Sequence, residues 1–151
     1  MKTNLYFLFK VFLTSALLIF ITGTFITGQD VIVKKNGDEI KAIIYFYRPS
    51  KVMGSPNEII VGTNVPDEVI VKLKNGHWFK TEYAHTGQRE FITGIFSINS
   101  ETLKIDIEPG KIYYIKCSIM KGMGMQSQIE IADEQIAKKE MNGLKEQKTA
   151  K

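Results

Sequence analysis

The chain is poor in the residues that make chemistry legible. It has one cysteine, two histidines and one tryptophan in 151 residues. The lone Cys117 excludes an intramolecular disulfide and any Cys-x-x-Cys site. His77 and His85 stand outside HxxxH and HxH spacings, so no zinc motif is present. Ser50, Ser55, Ser97 and Ser118 lie in expected strands or turns without a Gly-x-Ser-x-Gly elbow. Glu58, Glu68, Glu82 and Glu90 read as solvent-facing strand ends, and a carboxylate pair that meets only in space stays open. Charge of one sign is not concentrated either. The 20 basic residues face 16 acidic ones, and without Lys2 and Lys10 the basic count falls to 18. No basic stripe stands out, which argues against nucleic acid as a partner. No catalytic residue, metal ligand or cofactor is therefore expected.

The chain's most continuous apolar run lies near its start. Lys2 and Lys10 precede a run from Val11 to Phe25 that carries no charge, and Thr27-Gly28 leads into Gln29-Asp30. This is the layout of a secretory signal peptide over residues 1–28, with cleavage expected after Gly28. Ile26 fits the position three before the cut less well than alanine. The alternative is an uncleaved anchor over residues 11–28, at the short end of what spans a bilayer, with the rest exported. Either way the protein is expected outside the cytoplasm, periplasmic or secreted, and membrane contact is expected only through an uncleaved leader.

Beyond the leader the chain reads as one β domain over 29–145 and a flexible tail at 146–151. About 120 residues suffice for a single core without staples. Leu103, Ile105 and Ile107 alternate with Lys104 and Asp106, the period of a half-buried strand. Pro109-Gly110 is a turn, and beyond it Tyr113, Ile115, Cys117 and Ile119 share one face. These two strands are expected to form a central hairpin. Strand parity makes Cys117 a small buried hydrophobe, with a reactive thiol or intermolecular bridge as the alternative. Lys-Asn-Gly occurs at 35–37 and 74–76, and both copies read as hairpin turns. The strand ending at Tyr47 becomes apolar on both faces and belongs inside a sheet. Further strands are expected near Glu58–Val61, Val69–Leu73, His77–Tyr83, Arg89–Ser97 and Gln128–Ile131. Asn99-Ser100-Glu101 reads as a turn and 120–126 as a loop with methionines. Asp133 caps a helix that extends to Asn142, with a modest stripe of Ile136, Met141 and Leu144. The fold class is mostly β: an antiparallel β-sandwich or flattened barrel of about eight or nine short strands with one C-terminal helix.

Three motifs in order carry a family likeness. They are Tyr45-Phe46-Tyr47-Arg48-Pro49-Ser50, then Val71-Lys72-Leu73-Lys74-Asn75-Gly76-His77-Trp78-Phe79, then Glu108-Pro109-Gly110-Lys111-Ile112-Tyr113-Tyr114. Together, over about 43–145, they resemble the exported bacterial family known as domain of unknown function 2846. The chain departs from that pattern at Thr86-Gly87-Gln88, where members usually have a Pro-Gly turn. The resemblance implies a β-rich envelope or secreted domain and assigns no activity or functional residue.

Aromatic side chains are the remaining candidates. Trp78 follows a turn, and Tyr114 shares its face with Lys116 and Ser118, so these two are the expected contacts for a glycan or peptide. Arg48 completes the candidate binding set, although an arginine before Pro49 at a strand end also suits satisfying carbonyls or pairing with Glu108. The expected function is non-enzymatic contact with an envelope protein or a surface polymer. The alternatives are a glycan- or peptide-binding module using the aromatic face, and a small hydrolase whose site the sequence does not display.

Overall fold

The computed structural model describes residues 34–35, 38–51, 56–66, 68–95, 98–122 and 124–148. The leader expected over 1–28, the start of the first strand and the Asn36-Gly37 turn lie outside the described residues. The elements run β1 (Lys34–Lys35), β2 (Asp38–Glu39), β3 (Ala42–Arg48), β4 (Ile59–Thr63), β5 (Val69–Leu73), β6 (His77–Tyr83), β7 (Gly87–Ile95), β8 (Ile98–Ile107), β9 (Ile112–Gly122), β10 (Gly124–Ile131), α1 (Glu134–Met141) and β11 (Lys145–Glu146). Among the described residues no helix is long and apolar enough to cross a membrane.

Two sheets face each other. One has the order β10-β9-β3-β6-β11, the other β5-β4-β7-β8, and β1 and β2 form a separate ribbon. This is the mostly β sandwich with one C-terminal helix that the patterning requires. Strand β3, apolar on both faces, sits in the middle of the five-stranded sheet. Its Ile44 and Phe46 point into the sandwich, joined by Phe79, Ile115, Cys117 and Ile129 from the same sheet. The opposite sheet supplies Ile59, Val61, Val71, Leu73, Phe91, Ile105 and Ile107. Phe46 meets Phe91 edge-on across the gap, with centroids 5.3 Å apart and planes at 76°. Such aromatic pairs add about 0.5–1.5 kcal/mol beyond the area they bury.

The central hairpin expected around Pro109-Gly110 does not form. Strand β8 belongs to the four-stranded sheet, while β9 pairs with β10 and, in parallel, with β3. The turn is an arch that carries the chain from one sheet to the other. Gly110 has φ 72° and the Lys111 N–H reaches the Glu108 carbonyl at 3.3 Å. The Tyr113 hydroxyl closes the arch: it donates to the Asp106 carbonyl at 3.0 Å and accepts from the Glu108 N–H at 2.9 Å. Asn75-Gly76 behaves in the same way. Strand β5 pairs with β4, and β6 pairs with β3. In both places the flanking strands bury side chains from opposite sides of one core, so they face each other instead of pairing edge to edge.

Other boundaries differ as well. Asn99, Ser100 and Glu101 lie within β8, because the β7–β8 ladder continues to the pair Ile95↔Ile98. Backbone pairing outweighs the turn preference of those residues. The expected loop at 120–126 is the end of the β9–β10 hairpin, with Met120 opposite Gln126. Beyond the helix, β11 lies parallel to β6, and the Gln147 side chain reaches β5: Nε2 donates to the Lys72 carbonyl and Oε1 accepts from the Lys74 N–H at 3.0 Å. The expected tail therefore starts as an edge strand that ties the two sheets together.

A side chain at Gly110 would meet Ile40 Cγ2 at 3.2 Å in a left-handed backbone conformation. Gly110→Val is expected to lower stability by about 1–3 kcal/mol in urea unfolding. A variant as stable as the parent would contradict this account of the arch.

Candidate functional site

The outer face of the five-stranded sheet is aromatic. Alternation along β3 that sends Ile44 and Phe46 inward sends Tyr45 and Tyr47 outward. Register sets Tyr45 beside Tyr114 on β9, and Tyr47 beside Trp78 on β6. The rings of Tyr45 and Tyr114 stack with centroids 5.3 Å apart and planes 10° from parallel. Trp78 stands 5.8 Å from Tyr45, tilted by 59°. A row of three rings thus crosses β6, β3 and β9.

Helix α1 covers part of this row. Asp133 caps it, accepting from the N–H groups of Gln135 at 2.8 Å and Ile136 at 3.3 Å. The contact residue is Ala137, fully buried among Tyr47 and Tyr114, with Met141 and Leu144 alongside. Ile136, expected in the buried stripe, is 56% exposed. A small side chain lets the helix approach flat rings closely, and that requirement rotates Ile136 to the outside.

Glu140 holds the helix down. Its Oε2 accepts from the Tyr47 hydroxyl at 2.8 Å, and its Oε1 pairs with Lys116 Nζ at 2.6 Å. Partial burial opposes ionisation of Glu140, but the hydrogen bonds from Lys116 and Tyr47 outweigh it and hold the carboxyl below its usual range. Burial and the neighbouring Glu140 push the Tyr47 hydroxyl well above its ordinary value, so it stays a donor. After the helix, Gly143 adopts φ 87° and the chain drops onto the edge of β6. There the Lys145 N–H donates to the Gly76 carbonyl at 3.0 Å and the Gln147 N–H to the Trp78 carbonyl at 2.7 Å.

Where the helix stops covering the row, an open groove of about 620 Å³ remains. Tyr45, Trp78 and Tyr114 form its floor, and Lys138, Lys139, Met141 and Asn142 form its wall. Its size falls within the ~300–1,000 Å³ typical of ligand sites. A polar cleft between Thr63, Tyr83, Arg89 and Lys104 has about 220 Å³. A shallow apolar depression of about 380 Å³ lies on the outer face of the four-stranded sheet around Ile60, Ile92 and Gly94. Of these three, the first has the most aromatic surface, with three rings beside the Lys138, Lys139 and Asn142 side chains, whereas the polar cleft has Tyr83 alone.

The sequence-predicted residues separate. Trp78 is half-buried and lines the groove; Tyr114 lines it too but is only 7% exposed, because α1 lies over it. Arg48 is not with them. It sits on the opposite side of β3, 2% exposed, and its Nη1 donates to the carbonyls of Asn57 at 2.5 Å and Leu73 at 3.4 Å. Burial lowers its pKa, yet a guanidinium stays charged at neutral pH. It satisfies carbonyls at the strand end, as its place before Pro49 suggested. Cys117 is fully buried, and burial pushes its thiol up to about 12, with Arg48 opposing. His77 Nδ1 lies 2.8 Å from the Asn75 carbonyl, and His85 is exposed. Among the described residues no group of three or more His, Cys, Asp or Glu side chains is placed to hold a metal. Tyr45 is the contact that the sequence pattern underweighted, and the lysine and asparagine wall arrives from a helix with no sequence link to the row. No family model, curated protein or solved structure matches the chain.

Above the usual carboxylate range, a depressed Glu140 pKa stabilises the fold. That contribution is lost as pH falls through the depressed value. Glu140→Gln is therefore expected to cost about 1–2 kcal/mol near pH 7, with the gap closing below pH ~4. Thermal melts of both proteins across pH check this; a gap of the same size at all pH values would contradict it.

Proposed function

We propose that the chain is an exported, non-enzymatic β-sandwich protein that acts by contact at the bacterial envelope, with the Tyr45–Trp78–Tyr114 groove as its binding surface. The observation that carries this reading is the half-covered aromatic row. Buried aromatics on a solvent-side sheet face are ordinarily sealed, and here the seal stops short and leaves rings beside amide and ammonium groups. The lining offers stacking surface and hydrogen-bonding groups. It holds no nucleophile with an adjacent base, which favours binding over turnover. Export rests on the leader: Lys2 and Lys10, the apolar run and Thr27-Gly28. The likeness to the exported domain family points to the same location. The ligand on this reading is a surface polymer or a protein segment, since the groove is open to solvent along the aromatic row.

Immobilised oligosaccharide and peptide libraries, probed with the purified chain, test the reading. Tyr45→Ala and Trp78→Ala are each expected to weaken captured ligands at least about tenfold, with unchanged far-UV spectra. Ligands that bind both variants as well as the parent would place the contact surface elsewhere.

A further inference from the structure

The neighbourhood of the groove discriminates between the two polymer classes. An extended peptide binds a β protein most readily by adding a strand to a sheet edge. The edge nearest the aromatic row is taken: β11 and Gln147 occupy β6 at His77 and Trp78. Further along that edge, Lys80 and Glu82 pair at 3.0 Å, and Lys41 reaches Glu82 at 3.7 Å, a charged guard of the kind that blocks strand addition. What remains open is a sheet face with ring surface, which suits a chain that stacks rather than one that pairs. The C–H groups of a pyranose carry slight positive charge and lie against the negative face of an aromatic ring. Trp78, tilted out of the Tyr45–Tyr114 stack, can take one such ring, and Asn142 supplies an amide for hydroxyls.

The wall also has a sign. Lys138 is paired with Glu134 at 2.6 Å. Lys139, on the same wall, has no carboxylate partner among the described residues. Resting on the reading of the groove as the binding surface, we infer that its ligand is a carboxylate-bearing glycan, a chain of uronate-type sugars. Such a chain stacks one ring on Trp78 and Tyr45 and sets a carboxylate against Lys139. Lys139 sets the charge preference, and the rings set the affinity.

The test uses the full chain with galacturonate hexamers and the same hexamers fully methyl-esterified, which lose the charge and gain one methyl per ring; the Lys139→Gln and salt arms isolate the charge. Binding is read by calorimetry and by Trp78 emission. The free acid is expected to bind about fivefold tighter at low salt, the worth of one exposed ion pair. Lys139→Gln and 0.5 M salt should each remove that difference, the latter through screening. Equal binding of acid and ester overturns the inference and leaves the groove as a glycan site. If neither hexamer binds while a peptide shifts Trp78 emission, the glycan class is overturned and the groove stands. If no library ligand depends on Trp78 or Tyr45, the groove reading falls with it.

Discussion

Everything in this structure depends on a strand that is apolar on both faces. Strand β3 buries Ile44 and Phe46 in the sandwich, so it must be flanked by β6 and β9. Its other face carries Tyr45 and Tyr47, which also have to leave water. Burying an aromatic side chain contributes about 1.5–3 kcal/mol, so an uncovered second face would cost the fold heavily. The chain meets that demand late, with α1 and β11. Glu140 is the fixed point of the cover, because it is held by Tyr47 from below and by Lys116 from the side. The same geometry creates the groove. A helix of two turns cannot cover three strands, so it seals Tyr47 and Tyr114 and leaves Tyr45 and Trp78 partly open.

The cover is tied down at its end as well. Gln147 uses its backbone N–H on the Trp78 carbonyl and its side-chain amide on Lys72 and Lys74. One residue thus bridges an edge of each sheet. At the other side of the sandwich, Glu101 Oε2 accepts from the Ile129 N–H at 2.8 Å, so an edge amide of β10 is satisfied by the opposite sheet. Both edges are handled by side chains that reach across the gap, a local answer to the exposed-edge problem.

The period-2 runs made the strands legible, and the two-faced pattern at 43–47 placed β3 inside a sheet. The capping residue of the helix was equally plain at Asp133. What the pattern could not decide was how strands meet. Gly76 and Gly110 signal reversal correctly, each with positive φ. A reversal alone does not say whether the next strand pairs alongside or crosses to face its predecessor. That choice depends on which partner completes the core, and β9 lies between β3 and β10. Likewise, Trp78 was a legible candidate because it follows a turn. Tyr114 shares its face with polar residues and so looked open, but α1 packs on it from a remote part of the sequence. Arg48 looked ambiguous because an arginine beside proline serves strand ends and ligands equally well; alternation along β3 put it on the core side.

Partial cover of the aromatic row by α1 is the feature on which the groove stands. Acrylamide quenching of Trp78, the sole tryptophan, tests it most directly. Partial cover predicts an emission maximum between those of buried and free indole, and quenching in the folded chain that is clear but slower than for free tryptophan. A blue emission that acrylamide does not reach would mean that the cover is complete and the groove does not exist in solution.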